Sequence, residues 1–221
     1  TKKVEKFKDG FMEGVHYTFQ SVPIRTMIIL LVFLSMAGFP FIILLPAYAK
    51  EILHGSSDTL GFLMSALGAG ALTGALFMAS RKSVIGLGGI ISWNVVLLGL
   101  SLVLASISTQ MHYSLIVFFF GGLSMILSLA AINTMLQTIA DEDKRGRVMS
   151  FYAMALMGTT PIGNLLAGAV ASGIGISFTL LAGGIITILT GIGFQLHRKT
   201  LRKYVHPIYI DLGILPQIPV D

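Results

Sequence analysis

Long apolar runs alternate with short polar and charged clusters along this chain. Six runs stand out, at about residues 26–49, 59–79, 84–107, 113–140, 148–171 and 176–196. Each is close to the ~20 residues a helix needs to cross the hydrocarbon core of a bilayer. They predict six transmembrane helices in an all-α integral membrane protein, with residues 23–197 forming one bundle. Residues 1–22 read differently. Phe7, Phe11, Val15, Phe19 and Val22 recur at helical spacing, with Lys6, Lys8, Asp9, Glu13 and Gln20 largely elsewhere on the wheel. That is the pattern of an amphipathic helix lying at the membrane interface, here a cytoplasmic linker. Residues 198–221, basic at first and then rich in proline, read as a cytoplasmic surface tail. The sharpest polar break lies between the fourth and fifth runs, where Asp141, Glu142, Asp143, Lys144, Arg145, Gly146 and Arg147 place six charges in seven residues.

Composition strengthens the membrane reading. Of 221 residues, 54% are hydrophobic and 11% charged, and the mean hydropathy is +0.85, against about 25% charged residues in a soluble domain. A core of this size cannot hide so much apolar surface, whereas lipid can. No cysteine is present, which excludes disulfides, Cys-based zinc sites and thiol catalysis within the chain. The net charge of +5 does not call for nucleic acid, because Lys and Arg are needed in cytoplasmic loops. One side of the alternating spans receives Lys2, Lys3, Lys6, Lys8, Arg25, Arg81, Lys82, Lys144, Arg145, Arg147, Arg198, Lys199, Arg202 and Lys203, and the other only Lys50. The positive-inside rule then places both ends of this segment in the cytoplasm. The first apolar run follows a mixed, charged stretch, which is not a signal-peptide pattern. A chain opening on Thr1 is expected to be part of something longer.

Candidate chemistry is sparse. None of the acidic residues falls inside a span, and His16, His54, His112, His197 and His206 sit at edges or in loops. Membrane proton relays usually use buried carboxylates or histidines, so no proton-coupling site is expected here. Neither a nucleophilic triad nor a metal cluster is present, no cofactor is implied, and an enzyme is not expected. Asn133 and Gln137 share a helix face with Thr134 and Thr138 nearby, serving either interhelical hydrogen bonding or the polar lining of a cavity mouth. Gly158, Thr159, Thr160, Pro161, Ile162, Gly163 and Asn164 interrupt helix regularity and predict a packing kink, a hinge, or both. Ala66, Gly70 and Gly74 form one small-residue row in the second run, and Gly61, Ser65, Ala69 and Thr73 another; such rows let helix backbones approach. Ser35, Ser124 and Ser128 are expected to pack helices.

The run Asn133-Thr134-Met135-Leu136-Gln137, then Asp141, then Arg145-Gly146-Arg147-Val148-Met149-Ser150, then Gly158 and Pro161-Ile162-Gly163, resembles major facilitator superfamily transporters. It most resembles the efflux branch holding macrolide and enterobactin exporters. The amphipathic opening and the Tyr204–Tyr209 tail look alike too. The resemblance covers the carboxyl-terminal six-helix half of such a transporter. It departs at Ala79-Ser80-Arg81-Lys82, which keeps a basic pair but lacks the usual Asp. By resemblance, the first and fourth spans line a central cavity, with Met36, Phe39, Met125, Ser128 and Asn133 as cavity candidates. The second and fifth face the other half, with Gly70, Gly74, Gly158, Pro161 and Gly163 at a hinge or interface. Asp141, Arg145, Gly146 and Arg147 form a cytoplasmic motif or latch. The implied function is export of amphipathic small molecules, drug or siderophore, by alternating access across a bacterial cytoplasmic membrane. Membrane lipids, a substrate and the amino-terminal half are the implied partners. A lipid or lysolipid flippase of the same fold, or a non-transporting scaffold, are the alternatives.

Overall fold

The computed structural model describes residues 14–216. Among the described residues, six helices are long and apolar enough to cross a membrane: α1 Val22–Ile52, α2 Ser57–Ser80, α3 Leu87–Ile107, α4 Met111–Ile139, α5 Arg145–Ile174 and α6 Ile176–Asp211. No strand occurs among the described residues. A short helical segment, residues 14–20, precedes α1; the rest of the amphipathic opening lies outside the described residues.

The helices overrun the apolar runs at their ends, because hydropathy marks the hydrocarbon slab while a helix continues into the headgroups. α6 shows this most. Residues 198–211, expected as a surface tail, extend the helix, and Leu201, Val205 and Tyr209 are buried at four-residue spacing. Pro207 sits inside this stretch. The helix ends where Gly213 N–H meets Ile210 O at 2.9 Å and Ile214 N–H meets Tyr209 O at 2.9 Å, the paired bonds of a Schellman turn.

Two helix pairs form the firm part of the bundle: α2 packs along α4, and α3 along α6. In lipid, close backbone approach rather than water exclusion drives such packing. At the first crossing a Cβ on Gly70 would stand 1.9 Å from Phe119 O, and one on Gly122 would stand 2.0 Å from Leu67 O. At the second, a Cβ on Gly99 would meet Gly184 O at 2.6 Å, and one on Gly184 would meet Gly99 O at 2.8 Å. The row Ala66–Gly70–Gly74 is therefore used inside the bundle, with Gly70 and Gly74 buried on α4. It does not face outward as the resemblance implied. Gly61, Ser65, Ala69 and Thr73 are the exposed row.

α1 is interrupted twice, by π turns at Leu34–Gly38 and Tyr48–Ile52, with Pro40 and Pro46 nearby. Its carboxyl-terminal end is held by Tyr48, fully buried, whose hydroxyl reaches Ala105 O at 3.1 Å, Ser108 O at 3.2 Å and Ser114 Oγ at 2.9 Å. Its ring lies edge-on to Phe118, which stacks on Phe41.

A side chain at Gly70 or Gly122 has no space to enter, so Gly122→Val should separate α2 from α4. The expected loss is at least the 1–3 kcal/mol of an overpacked core (about that range), seen as a lower midpoint of thermal aggregation in detergent. Gly68→Val, where nothing lies within 4 Å, should leave the midpoint unchanged. Equal midpoints for both variants would contradict the crossing.

Candidate functional site: a mid-span crossing and a charged loop

Proline removes a backbone donor, and inside a membrane the carbonyl left behind needs another partner. α5 carries Pro161 one turn after a π segment, Met154–Gly158. There the Thr159 N–H turns to Leu156 O, which leaves Ala155 O without its usual amide. The Thr159 hydroxyl donates to Ala155 O at 2.6 Å, and the Thr160 hydroxyl donates to Leu156 O. Ser35, at the π turn of α1, comes in from across the interface. Its Oγ lies 3.0 Å from Ala155 O, 2.9 Å from Leu31 O, and within hydrogen-bonding distance of Thr159 Oγ1. With one proton each, Thr159 satisfies α5, and Ser35 can donate either within its own helix or across to α5.

Two π-interrupted helices thus cross near their midpoints. They can do so because Gly163 has no side chain: a Cβ there would stand 2.7 Å from Met36 Cα and 2.7 Å from Ser35 O. On the other flank a Cβ on Gly183 of α6 would stand 2.7 Å from Ala37 O. The π turn of α1 is clamped between glycines of two neighbours. Gly158, by contrast, has open space around it, and Pro161 is exposed.

The cavity candidates separate into two groups. Met36, Met125 and Asn133 are half-buried. Asn133 Oδ1 accepts from Gln137 Nε2, one turn along the same helix. Phe39 and Ser128 instead point into the bundle; Phe39 is only 6% exposed and Ser128 fully buried. The reason for Phe39 lies in the π turn, where Phe39 N–H reaches back to Leu34 O at 2.8 Å. That extra residue rotates everything beyond it, so a face counted at 3.6 residues per turn ends up on the wrong side. Before the turn, Arg25, Ile29 and Phe33 are exposed along α1. Ile29 and Phe33 help line an open groove of about 430 Å³ against α6.

The charged motif sits on the α4–α5 connection. Asp141, Glu142 and Asp143 are exposed in the loop, and Arg145 and Arg147 fall in the first turn of α5. Cations at a helix N-terminus oppose its dipole, at roughly 0.3–1 kcal/mol each, so these residues are not placed there for helix stability. Residues 14–20 dock on this loop. Asp141 N–H donates to the Tyr17 hydroxyl at 3.1 Å, and Lys144 Nζ stands 4.8 Å over the Tyr17 ring. A Cβ on Gly14 would meet Arg147 Cδ at 3.2 Å, and Phe19 meets Phe151 edge-on at 6.5 Å. Burial raises the Tyr17 hydroxyl above the ordinary tyrosine range. Gly146 has open space around it. Sequence reasoning placed Val15 and Phe19 on the apolar face and missed Tyr17, whose contact is with a loop far along the chain. It also left Thr159 as part of a general helix interruption, and Tyr48 unnoticed.

Residues 2–206 match the model of a family described as transmembrane secretion effectors. The chain is 25% identical over 189 residues to the multidrug efflux pump Tap of Mycolicibacterium fortuitum, covering 83% of this chain and 44% of that protein. It is 25% identical over 234 residues to Tap of Mycobacterium tuberculosis, covering 100% of this chain and 50% of that protein. An uncharacterized MFS-type transporter of Bacillus subtilis, YvqJ, is 26% identical over 172 residues, 76% of this chain and 40% of that protein. The chain spans about half the length of the curated relatives it matches.

Removing either hydroxyl at the crossing should loosen α1 from α5. Ser35→Ala and Thr159→Val are each expected to destabilise by about 0.5–1.5 kcal/mol. The double variant should show a coupling of roughly 0.6–1.7 kcal/mol in a double-mutant cycle by unfolding in mixed micelles. Strict additivity would mean that the two side chains act separately.

Proposed function

This chain belongs to the transmembrane secretion effector family of the major facilitator superfamily, and from that premise we propose that it forms one six-helix half of a secondary efflux transporter. The proposed substrates are amphipathic small molecules, exported across a bacterial cytoplasmic membrane by alternating access. The carrying observation is the crossing of α1 and α5 at their π turns. Alternating access needs one bundle to rock or bend around a site near the bilayer midplane. A helix can bend there only if its freed carbonyls keep partners, and Ser35, Thr159 and Thr160 supply them. π segments inside long helices recur at functional positions.

A second six-helix bundle is part of this reading. α2 and α5 expose most of their apolar length, with Met154, Met157, Leu165 and Leu166 open on α5 and Phe62, Leu72 and Leu76 open on α2. Such faces suit a partner bundle, and the curated relatives are about twice as long. Two of these relatives are multidrug efflux pumps, which supports drug-like substrates. Because no carboxylate lies within the six apolar runs of this half, residues that couple export to an ion gradient belong to the other half on this reading. Met36, Met125 and Asn133 are proposed to line the substrate path. Asp141, Arg145, Gly146 and Arg147 are proposed to hold the cytoplasmic end shut, with residues 14–20 docked on the same loop.

Cells carrying the complete transporter should accumulate less of a fluorescent amphipathic cation than control cells, and a protonophore should abolish the difference. Insertion of this half alone should leave accumulation unchanged. Arg145→Lys combined with Arg147→Lys should insert normally and export poorly, since a latch uses the planar guanidinium fork and topology needs only charge. A latch contribution of about 1–3 kcal/mol is expected. Full export by the double Lys variant, at equal membrane abundance, would reduce these residues to topology markers.

Orientation has its own test. Cysteines at Ser57 and Thr109, both exposed at one end of the bundle, should react with an impermeant thiol reagent in intact cells. Cysteines at Ser83 and Glu142, exposed at the other end, should react only after permeabilisation. The reverse pattern would overturn the cytoplasmic placement of both ends.

A further inference from the structure

A second open groove, of about 580 Å³, lies at the end of the bundle that holds Arg81 and Arg198, between α2, α3, α4 and α6. Its walls are apolar, formed chiefly by Phe77, Ile90, Trp93 and Leu127, and Arg198 is part of its lining. Arg198 is half-buried, and among the described residues neither a hydrogen bond nor an ion pair engages its guanidinium. A half-buried cation facing apolar walls is costly unless an anion joins it.

The backbone makes room for this guanidinium. A Cβ on Gly89 would stand 2.9 Å from Arg198 Nη1, and one on Gly88 would stand 3.7 Å from Arg198 Cδ. Ser92 donates to Gln195 Oε1 and ties α3 to α6 close to Arg198 in sequence and space. A second guanidinium flanks the same stretch. Arg81 Nη2 donates to Ile85 O at 2.7 Å and to Ser83 O at 3.3 Å, and a Cβ on Gly86 would stand 4.0 Å from it. Its Nε is buried without a partner. No carboxylate lines the groove, and Trp93, 68% exposed, stands on its rim as aromatic residues do at the membrane interface.

We propose that this groove binds one anionic phospholipid of the leaflet on the Arg81 and Arg198 side, its phosphate against Arg198 and Arg81 and an acyl chain along Phe77, Trp93 and Leu127. Charge and shape point to the same occupant. Arginine forks match phosphate bidentately, basic residues beside a span attract anionic headgroups, and an apolar wall next to the cation suits a tail. A soluble anion would use the cations and leave the wall bare. The inference rests on the membrane-spanning reading and on no transported substrate, so it stands or falls apart from export.

Trp93 is the only tryptophan in the 221 residues, which makes it a reporter for the groove. The intact protein would be reconstituted in phosphatidylcholine vesicles with increasing fractions of brominated phosphatidylglycerol or brominated phosphatidylethanolamine, whose acyl chains quench a tryptophan they touch. The signal is the part of the quenching that Trp93→Phe abolishes. Phosphatidylglycerol should be preferred by about fivefold. Arg198→Gln should bring the two lipids to near equality while leaving quenching by phosphatidylethanolamine intact. Lys199→Gln and Arg202→Gln, which remove the same charge from exposed neighbours on α6, should keep the preference. Glycerol phosphate in the buffer should not compete. Equal quenching of the unaltered protein by both lipids would overturn the proposal, whether or not the variants fold. So would an equal loss of preference in the Lys199 and Arg202 variants, and so would full competition by glycerol phosphate, which would indicate a soluble-anion site.

Discussion

Inside hydrocarbon a backbone carbonyl has no water to turn to, and this bundle is arranged around that constraint. Prolines and π turns enter the middle of α1 and α5, each freeing carbonyls where none can be left unpaired. Hydroxyls from the same turn, and one from the facing helix, take the freed positions. Ser35 is the shared member, because it stands beside the interruptions of both helices. The rest of the packing accommodates that contact. Gly163 and Gly183 let α5 and α6 close on the interrupted turn from two sides, while the glycine crossings of α2 on α4 and α3 on α6 brace the remainder.

The number of spans is legible in the sequence because lipid imposes a length, and composition alone reports it. Which way each span faces is not. Nearly every face of these helices is apolar, so hydropathy carries no azimuth, and small-residue spacing cannot say which neighbour it serves. Gly70 and Gly74 show this: their spacing marks a close helix contact, but the partner is α4 within the bundle. Phe39 and Ser128 fail as lining residues for the same reason, made worse in α1 by the residue its π turn adds. The helical extension after Leu196 was readable from Leu201, Val205 and Tyr209, but Pro207 and the basic cluster outweigh that spacing.

The charged loop is legible as a loop and as a family motif. Its neighbour is not, because Tyr17 lies far upstream and nothing in local sequence links the two. The structure joins them through one amide, one ammonium over a ring and one glycine contact, so that the segment leading into α1 and the connection leading into α5 are held together. α1 and α5 are also the two helices that meet at mid-span. They are therefore fastened at one end of the bundle and again near mid-span.

A π turn is an insertion, and an insertion in a helix is a change of phase. Residues of α1 on the two sides of Leu34–Gly38 are out of register by roughly the 100° that one residue represents. The two halves of this span therefore do not share a face, and each can present its own chemistry to its own leaflet. For the proposed export of molecules of varied shape, that phase is a coordinate of specificity in its own right. Loss of a single residue from the turn would reset it, exchanging a whole row of side chains at once where a substitution exchanges one.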